Sequence, residues 1–237
     1  MTTSKLIQDL REELREKGSE AVRLSTRRFF KEEIQCYGLQ SSEVQRIIAR
    51  SFRDVKALGK ERVFALCEEL LLSDYSEEAS IAFEWSYRFR GEYLPEDMKT
   101  FEKWLSLYVN NWAKCDILCN HTIGSFVELY PSFLGKLSQW TESPNRWLRR
   151  GAAVTLILPA RRGLFLKEVF AIADALLTDG DDLVQKGYGW MLKEASRTHG
   201  EEVFHYVLEH RGEMPRTALR YAIEKMPLAM RKEAMKR

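Results

Sequence analysis

The chain has 237 residues, 45% of them apolar and 30% charged, with a formal net charge of +2. That is ordinary for a soluble globular protein, long enough for one large domain or two small ones, and near-neutrality by itself argues for no polyanionic partner. The longest apolar run, Ala152 to Ala160, is far too short to span a bilayer, and Met1 to Lys5 holds no apolar signal core, so a cytoplasmic protein without membrane attachment is the expectation.

In chain order the sequence reads as helix after helix, with no alternating strand pattern and no hairpin dipeptide. Ser4 to Lys17 is charged and amphipathic and stops at Gly18. Glu20 to Cys36 follows, ending at Gly38. Ser41 and Ser42 suggest an N-cap for a helix to about Ala57. Lys60 to Leu72, Glu77 to Phe89 and, after Pro95, Glu96 to Tyr108 come next. Asn110 and Asn111 interrupt the pattern and suit the cap of a helix to Asn120, with a short helix from His121 to Leu129 after it. Pro131 to Thr141, Asn145 to Leu158, Leu164 to Leu177, Leu183 to Thr198 after a turn and cap at Gly180-Asp181-Asp182, Glu201 to His210, and Pro215 to Met226 complete the series. From Pro131 onward the helices recur at roughly twenty residues each, close to half of the ~40-residue helical pair of HEAT-like units. The expected fold is therefore all-α: one domain over 1–237, a curved solenoid of stacked helical pairs with a concave binding face, no linker rich in Gly, Ser or Pro dividing it.

Four cysteines, Cys36, Cys67, Cys115 and Cys119, are too few and too scattered for a disulfide scaffold. Cys115 and Cys119 stand four apart near His121, but no second Cys or His pair lies at zinc spacing, so small core residues are expected and no metal. Basic residues concentrate in the second half, in Arg146/Arg149/Arg150, Arg161-Arg162 and Lys186/Lys193/Arg197, so a local basic face is possible on a nearly neutral chain.

Three helical stripes carry chemistry. Trp112 and Asp116 stand at i and i+4, an indole and a carboxylate on one face. Arg146 and Arg150 repeat that spacing, expected to face outward while Trp147 and Leu148 face in. Lys186, Trp190 and Lys193 stand at i, i+4 and i+7, an aromatic between two cations. Singly, each is ordinary: a helical Trp is most often core, and a helical Asp or Arg pair most often a solvated face. Together they supply what holds a phosphodiester backbone and stabilises a cation beside it.

At these residues the sequence resembles the AlkD-type DNA alkylation repair family, the HEAT-like-repeat alkylpurine glycosylases. The family's Trp-x-x-x-Asp appears as Trp112 to Asp116, its Trp-Leu-x-Arg-x-Ala as Trp147 to Ala152, and its Gln-Lys-x-x-Gly-Trp-x-Leu as Gln185 to Leu192. The stretch Pro215 to Ile223 is also similar. In the first half Tyr37-Gly38-Leu39-Gln40-Ser41-Ser42 resembles a turn of the family, with Ser42 where proline is common. Phe29 or Phe30 falls where the family has an aromatic near the damaged nucleotide, without a tyrosine's hydroxyl.

The resemblance implies excision of positively charged alkylated purines, such as 3-methyladenine and 7-methylguanine, from duplex DNA without metal or organic cofactor. It gives Asp116 the stabilisation of an oxocarbenium-like sugar, and Trp112 and Trp190 the packing around that sugar. Arg150 is to anchor a phosphate near the lesion, with Arg149, Lys186, Lys193, Gln40 and Phe29 along the flanking DNA. It also implies that the base stays largely stacked rather than flipped. A monomer on one duplex is the simplest assembly. Two other classes share the scaffold: a non-catalytic binder of damaged or branched DNA, and a protein-interaction solenoid with no nucleic-acid role.

Overall fold

A computed structural model describes residues 3–236. Its helices are α1 (Thr3–Lys17), α2 (Glu20–Arg27), α3 (Ser41–Val55), α4 (Lys60–Leu71), α5 (Ser76–Arg88), α6 (Asp97–Leu107), α7 (Trp112–Ile117) and α8 (Gly124–Leu129). They continue as α9 (Leu134–Thr141), α10 (Arg146–Thr155), α11 (Ile157–Arg161), α12 (Leu166–Ala175), α13 (Asp182–Ala195), α14 (Gly200–His210), α15 (Arg216–Ala222) and α16 (Leu228–Ala234). Among the described residues there is no strand, only an isolated bridge between Gln35 and Tyr75, so the all-helical expectation holds. No described helix is long and apolar enough to cross a membrane. The helices form two compact units, Met1–Leu118 and Cys119–Arg237.

In the first unit α5 is central and packs against α3, α4 and α7. Its Ile81, Phe83 and Trp85 are wholly buried, as are Leu70 of α4 and Phe101 and Trp104 of α6. The rings of Phe64, Phe101 and Trp104 meet at centroid distances of 5.5 to 5.9 Å, the tilted contacts that aromatic quadrupoles favour. In the second unit α13 is central, touching α10, α11, α12 and α15. All four cysteines are free and buried, as core residues would be.

The structure departs from the sequence reading in several places. The helix expected over Glu20 to Cys36 stops at Arg27. Beyond it the backbone finds other partners: the Glu77 carboxylate accepts N–H bonds from Tyr37 (3.0 Å), Gly38 (2.9 Å) and Leu39 (3.2 Å), while Ser76 N–H donates to the Gln35 carbonyl (2.9 Å). The Gln35 carbonyl and the N–H groups of 37–39 thus pair with the first turn of α5 rather than within a helix. Gly38 sits at φ +90°, where a Cβ would meet the Ser19 carbonyl at 2.3 Å, so only glycine passes.

The expected Asn145 to Leu158 helix divides at Leu156, because Pro159 cannot donate to the Thr155 carbonyl and crowds it. Residues 110–129 form not two helices but α7, a π turn over Leu118–Ile123, and α8. The helix expected from Leu164 starts at Leu166, since Phe165 takes left-handed φ 59°. Gln40, not Ser41 or Ser42, occupies the N-cap of α3. The last expected helix ends at Ala222, and α16, which the sequence reading lacked, begins after Pro227.

Candidate functional site

The Trp-x-x-x-Asp stripe falls on α7, and its placement starts with the cap. The Asn111 side chain accepts the Lys114 N–H at 3.0 Å, the capping expected from the Asn pair. Lys114 and Cys115 point to the buried side of the helix, and Trp112 and Asp116 lie half-buried one turn apart. Lys114, 3% exposed, donates to the Asp74 carbonyl (3.0 Å), to the Asp74 carboxylate and to Asn110 Oδ1 (3.1 Å). One buried ammonium therefore ties α7, the residue before its cap and the turn before α5 together. The sequence reading missed this lysine, for which the signal was its position two residues from both members of the stripe.

Trp112 is fixed from a second side. Its ring stacks on Phe30 at 5.1 Å and 15°, and its indole N–H reaches the Phe29 carbonyl at 3.4 Å. The two phenylalanines thus take different parts: Phe30 covers one face of the indole, while the side chain of Phe29 is 73% exposed. Both belong to the non-helical segment that precedes the Glu77-bound backbone. The exposed Gln40 follows that backbone directly, at the N-cap of α3.

The other candidate residues lie on α10 and α13 of the second unit. Asn145 caps α10 through the Trp147 N–H (2.9 Å), and Asp181 caps α13 through Leu183 (2.9 Å) and Val184 (3.4 Å). Arg146 pairs with Asp181 at 2.7 Å, so the two helix starts are joined. Burial raises the Asp181 carboxyl, but the Arg146 hydrogen bond and the Leu183 and Val184 N–H groups outweigh it, and its pKa is held below the usual carboxylate range.

Arg150 does not face outward as the helical spacing suggested: it is 5% exposed, and Nη1 donates to the Leu183 carbonyl at the start of α13. The reason is the close approach of α13, whose Gly187 leaves room for the arginine; a Cβ there would touch Arg150 Cγ at 3.4 Å. Arg149 binds Asp179 (2.6 Å) and the Ser143 carbonyl (2.9 Å). Lys186 pairs with Asp182 (3.1 Å), and Lys193 pairs with Glu224 (3.2 Å) while lying 5.6 Å from the Tyr221 ring centroid. Trp190 is half-buried on the same helix. The sequence reading singled out the cations but not these counter-charges, although the run Asp179, Asp181, Asp182 stands in plain view.

Within the first unit, then, Trp112 and Asp116 share one helix held against Phe29 and Phe30. Within the second, Arg149, Arg150, Lys186, Trp190 and Lys193 share two packed helices. The first set offers a carboxylate beside a fixed indole; the second offers three acid-paired cations and the buried Arg150, with an aromatic among them.

Comparison with known proteins gives the family. The model of the DNA alkylation repair enzyme family matches residues 10–226, and the chain belongs to that family. A solved structure described as a predicted DNA alkylation repair enzyme from Enterococcus faecalis superposes with a TM-score of 0.80 over 90% of this chain and 98% of that one, at 16% identity. At that identity the likeness shows a shared fold. No curated protein matches the chain.

Proposed function

We propose that the protein is a DNA glycosylase that hydrolyses the N-glycosidic bond of positively charged alkylated purines in duplex DNA, of the AlkD type. The observation that carries this reading is α7: Trp112 and Asp116 one turn apart, the indole fixed by the Phe30 ring and the Phe29 carbonyl. Membership of the alkylation repair family supports the substrate class.

N3- or N7-alkylation makes the purine a cationic leaving group. As the C1′–N bond breaks, its electron pair neutralises the purine and positive charge moves to the sugar. Asp116 stabilises that oxocarbenium-like sugar and orients the water whose oxygen bonds to C1′; the water's proton passes to the carboxylate and then to solvent. Trp112 packs against the deoxyribose, its π face favouring the cation, and Trp190 of the second unit offers a further π face to the sugar-phosphate chain. Arg149, Lys186 and Lys193 hold flanking phosphates, giving affinity rather than base readout, with Gln40 and Phe29 on the DNA near the lesion. Arg150 anchors a phosphate while its burial also makes it a clamp between α10 and α13, so Arg150→Gln loses stability as well as affinity. With the lability of the base itself providing selectivity, the base needs no flipping pocket.

The test is release of free 7-methylguanine and 3-methyladenine from methylated duplex DNA, wild type beside Asp116→Asn. The wild type releases both bases. The variant binds duplex nearly as well and releases them about 100-fold more slowly or worse. Excision surviving in Asp116→Asn at near wild-type rate removes Asp116 from the mechanism. No release by either, with duplex binding intact, makes the protein a binder of DNA structure.

A further inference from the structure

The last two helices carry a feature that the excision reading does not use. Leu228, Arg231, Lys232 and Met235 stand at i, i+3, i+4 and i+7, one face of α16 running into its C-cap at Met235. This face does not enter the core. It lines an open cavity of about 410 Å³, bounded on the other side by Arg220 of α15 and by Ile223 at that helix's C-cap. The core side of α16 is carried instead by Ala234, wholly buried. Ile223 is the buried floor, Leu228 is 64% exposed, and Met235 is half-buried. Arg220, Arg231 and Lys232 are exposed, and none of them pairs with a carboxylate of the described residues. In this they differ from Arg149, Lys186 and Lys193, each of which has its own acid.

We propose that this face docks a helix of an acidic partner protein, with an apolar side chain at each end of the contact and carboxylates between them. The complementarity follows from the register. Leu228 and Met235 are seven residues apart, about 10 Å along the helix. Two unpaired cations lie between them, and a third faces them from α15. A wholly apolar ligand would bury those cations without partners, which is costly. A nucleic-acid backbone would match the charge but leave the apolar ends and the Ile223 floor uncovered. An amphipathic helix bearing acid, acid between two apolar anchors answers both, and the unbranched Met235 adapts to the anchor it meets.

The test is a selection on the full-length protein with a displayed library of helix-stabilised 16-residue peptides, randomised at positions i, i+3, i+4 and i+7. The expected winners carry Leu, Ile, Met or Phe at i and i+7 and Asp or Glu at i+3 and i+4. Their affinity falls about tenfold or more for the R231E/K232E variant, and returns when the two acids of the peptide are exchanged for lysines. Leu228→Ser weakens the same peptides without changing their charge preference. An absence of enrichment, or winners that bind R231E/K232E as well as wild type, overturns the proposal. So does the pairing of no enriched peptide with a loss of affinity for undamaged duplex in R231E/K232E, which assigns the face to DNA. None of these residues takes part in excision as proposed above, so base release by both variants stays at the wild-type rate, and the two readings fail separately.

Discussion

Two glycines two residues apart on α13 make opposite predictions. At Gly189 an added Cβ would lie 2.7 Å from the Ala218 carbonyl oxygen, 2.7 Å from Tyr221 Cβ and 3.1 Å from Ala218 Cα, all on α15. Carbon contacts are at their best near 3.5–4.0 Å. Gly189→Ala therefore forces α13 and α15 apart by several tenths of an ångström, and backbone atoms cannot swing aside as a side chain can. Overpacking of this kind costs about 1–3 kcal/mol, and Ala recovers about 1 kcal/mol in helix propensity, leaving a net loss of up to about 2 kcal/mol. At Gly187 the nearest atoms are Arg150 Cγ at 3.4 Å, Arg150 Nη1 at 3.5 Å and Val154 Cγ2 at 3.6 Å, which is ordinary contact with side chains. Gly187→Ala keeps most of the propensity gain and stabilises by up to about 1 kcal/mol. Urea unfolding of the two variants beside wild type measures both signs. A Gly189→Ala midpoint at or above wild type would refute the claim that α13 and α15 are packed as closely as described.

Two further predictions concern the elements that position the site. Asp181→Ala removes the cap of α13 and the partner of Arg146, costing about 0.5–2 kcal/mol at neutral pH. Because the folded-state pKa of Asp181 is depressed, its contribution is present above the unfolded value of about 3.9 and lost as pH falls through the lower folded value. The difference between wild type and variant in urea midpoint should thus be constant from pH 5 to 8 and shrink in acid. Glu77→Ala leaves the buried N–H groups of Tyr37, Gly38 and Leu39 without their acceptor, at about 1–3 kcal/mol for each that water does not reach. It should lower the melting temperature and release hydrogen-exchange protection first at residues 37–39; protection unchanged there would mean that Glu77 does not hold the segment.

Much of this was legible in the sequence because helices announce themselves locally. The period of apolar residues gave most of the helices, and side-chain caps gave Asn111 and Asp181 their correct parts, since both signals lie within a few residues of where they act. What was not legible depends on partners far along the chain. The segment after Arg27 looked helical because nothing nearby says that Ser76 and Glu77, some forty residues on, will hold the backbone at Gln35 and at 37–39. Arg150 looked solvated because spacing on one helix does not say how near Gly187 of α13 will come. Lys114 went unread because Asp74 and Asn110 become its partners only after the chain has folded. The pairing of Trp112 with Asp116, by contrast, was readable at once, since four residues on one helix fix a shared face whatever packs around it.

The cations assigned to phosphate raise a quantitative question that the sequence did not. Arg149, Lys186 and Lys193 each come with a carboxylate, Asp179, Asp182 and Glu224, so a phosphate gains less from each than it would from an isolated charge. Glu224 is the clearest case, because its pKa is lowered chiefly by its hydrogen bond to Lys193, and about half of its side chain is exposed. Replacing it by glutamine removes an exposed acid worth about 0.2–1 kcal/mol in its pair, and frees Lys193 for the backbone of the DNA. Glu224→Gln should accordingly bind undamaged duplex up to about fivefold more tightly at low salt. The slope of log affinity against log salt should steepen by up to about 0.9, the increment for one further phosphate neutralised. The gain should fade toward physiological salt, where an exposed charge is screened within about 8 Å. Binding that is unchanged at low salt, or weaker, would mean that Lys193 does not meet phosphate, and would confine the backbone contacts of the second unit to α10 and the start of α13.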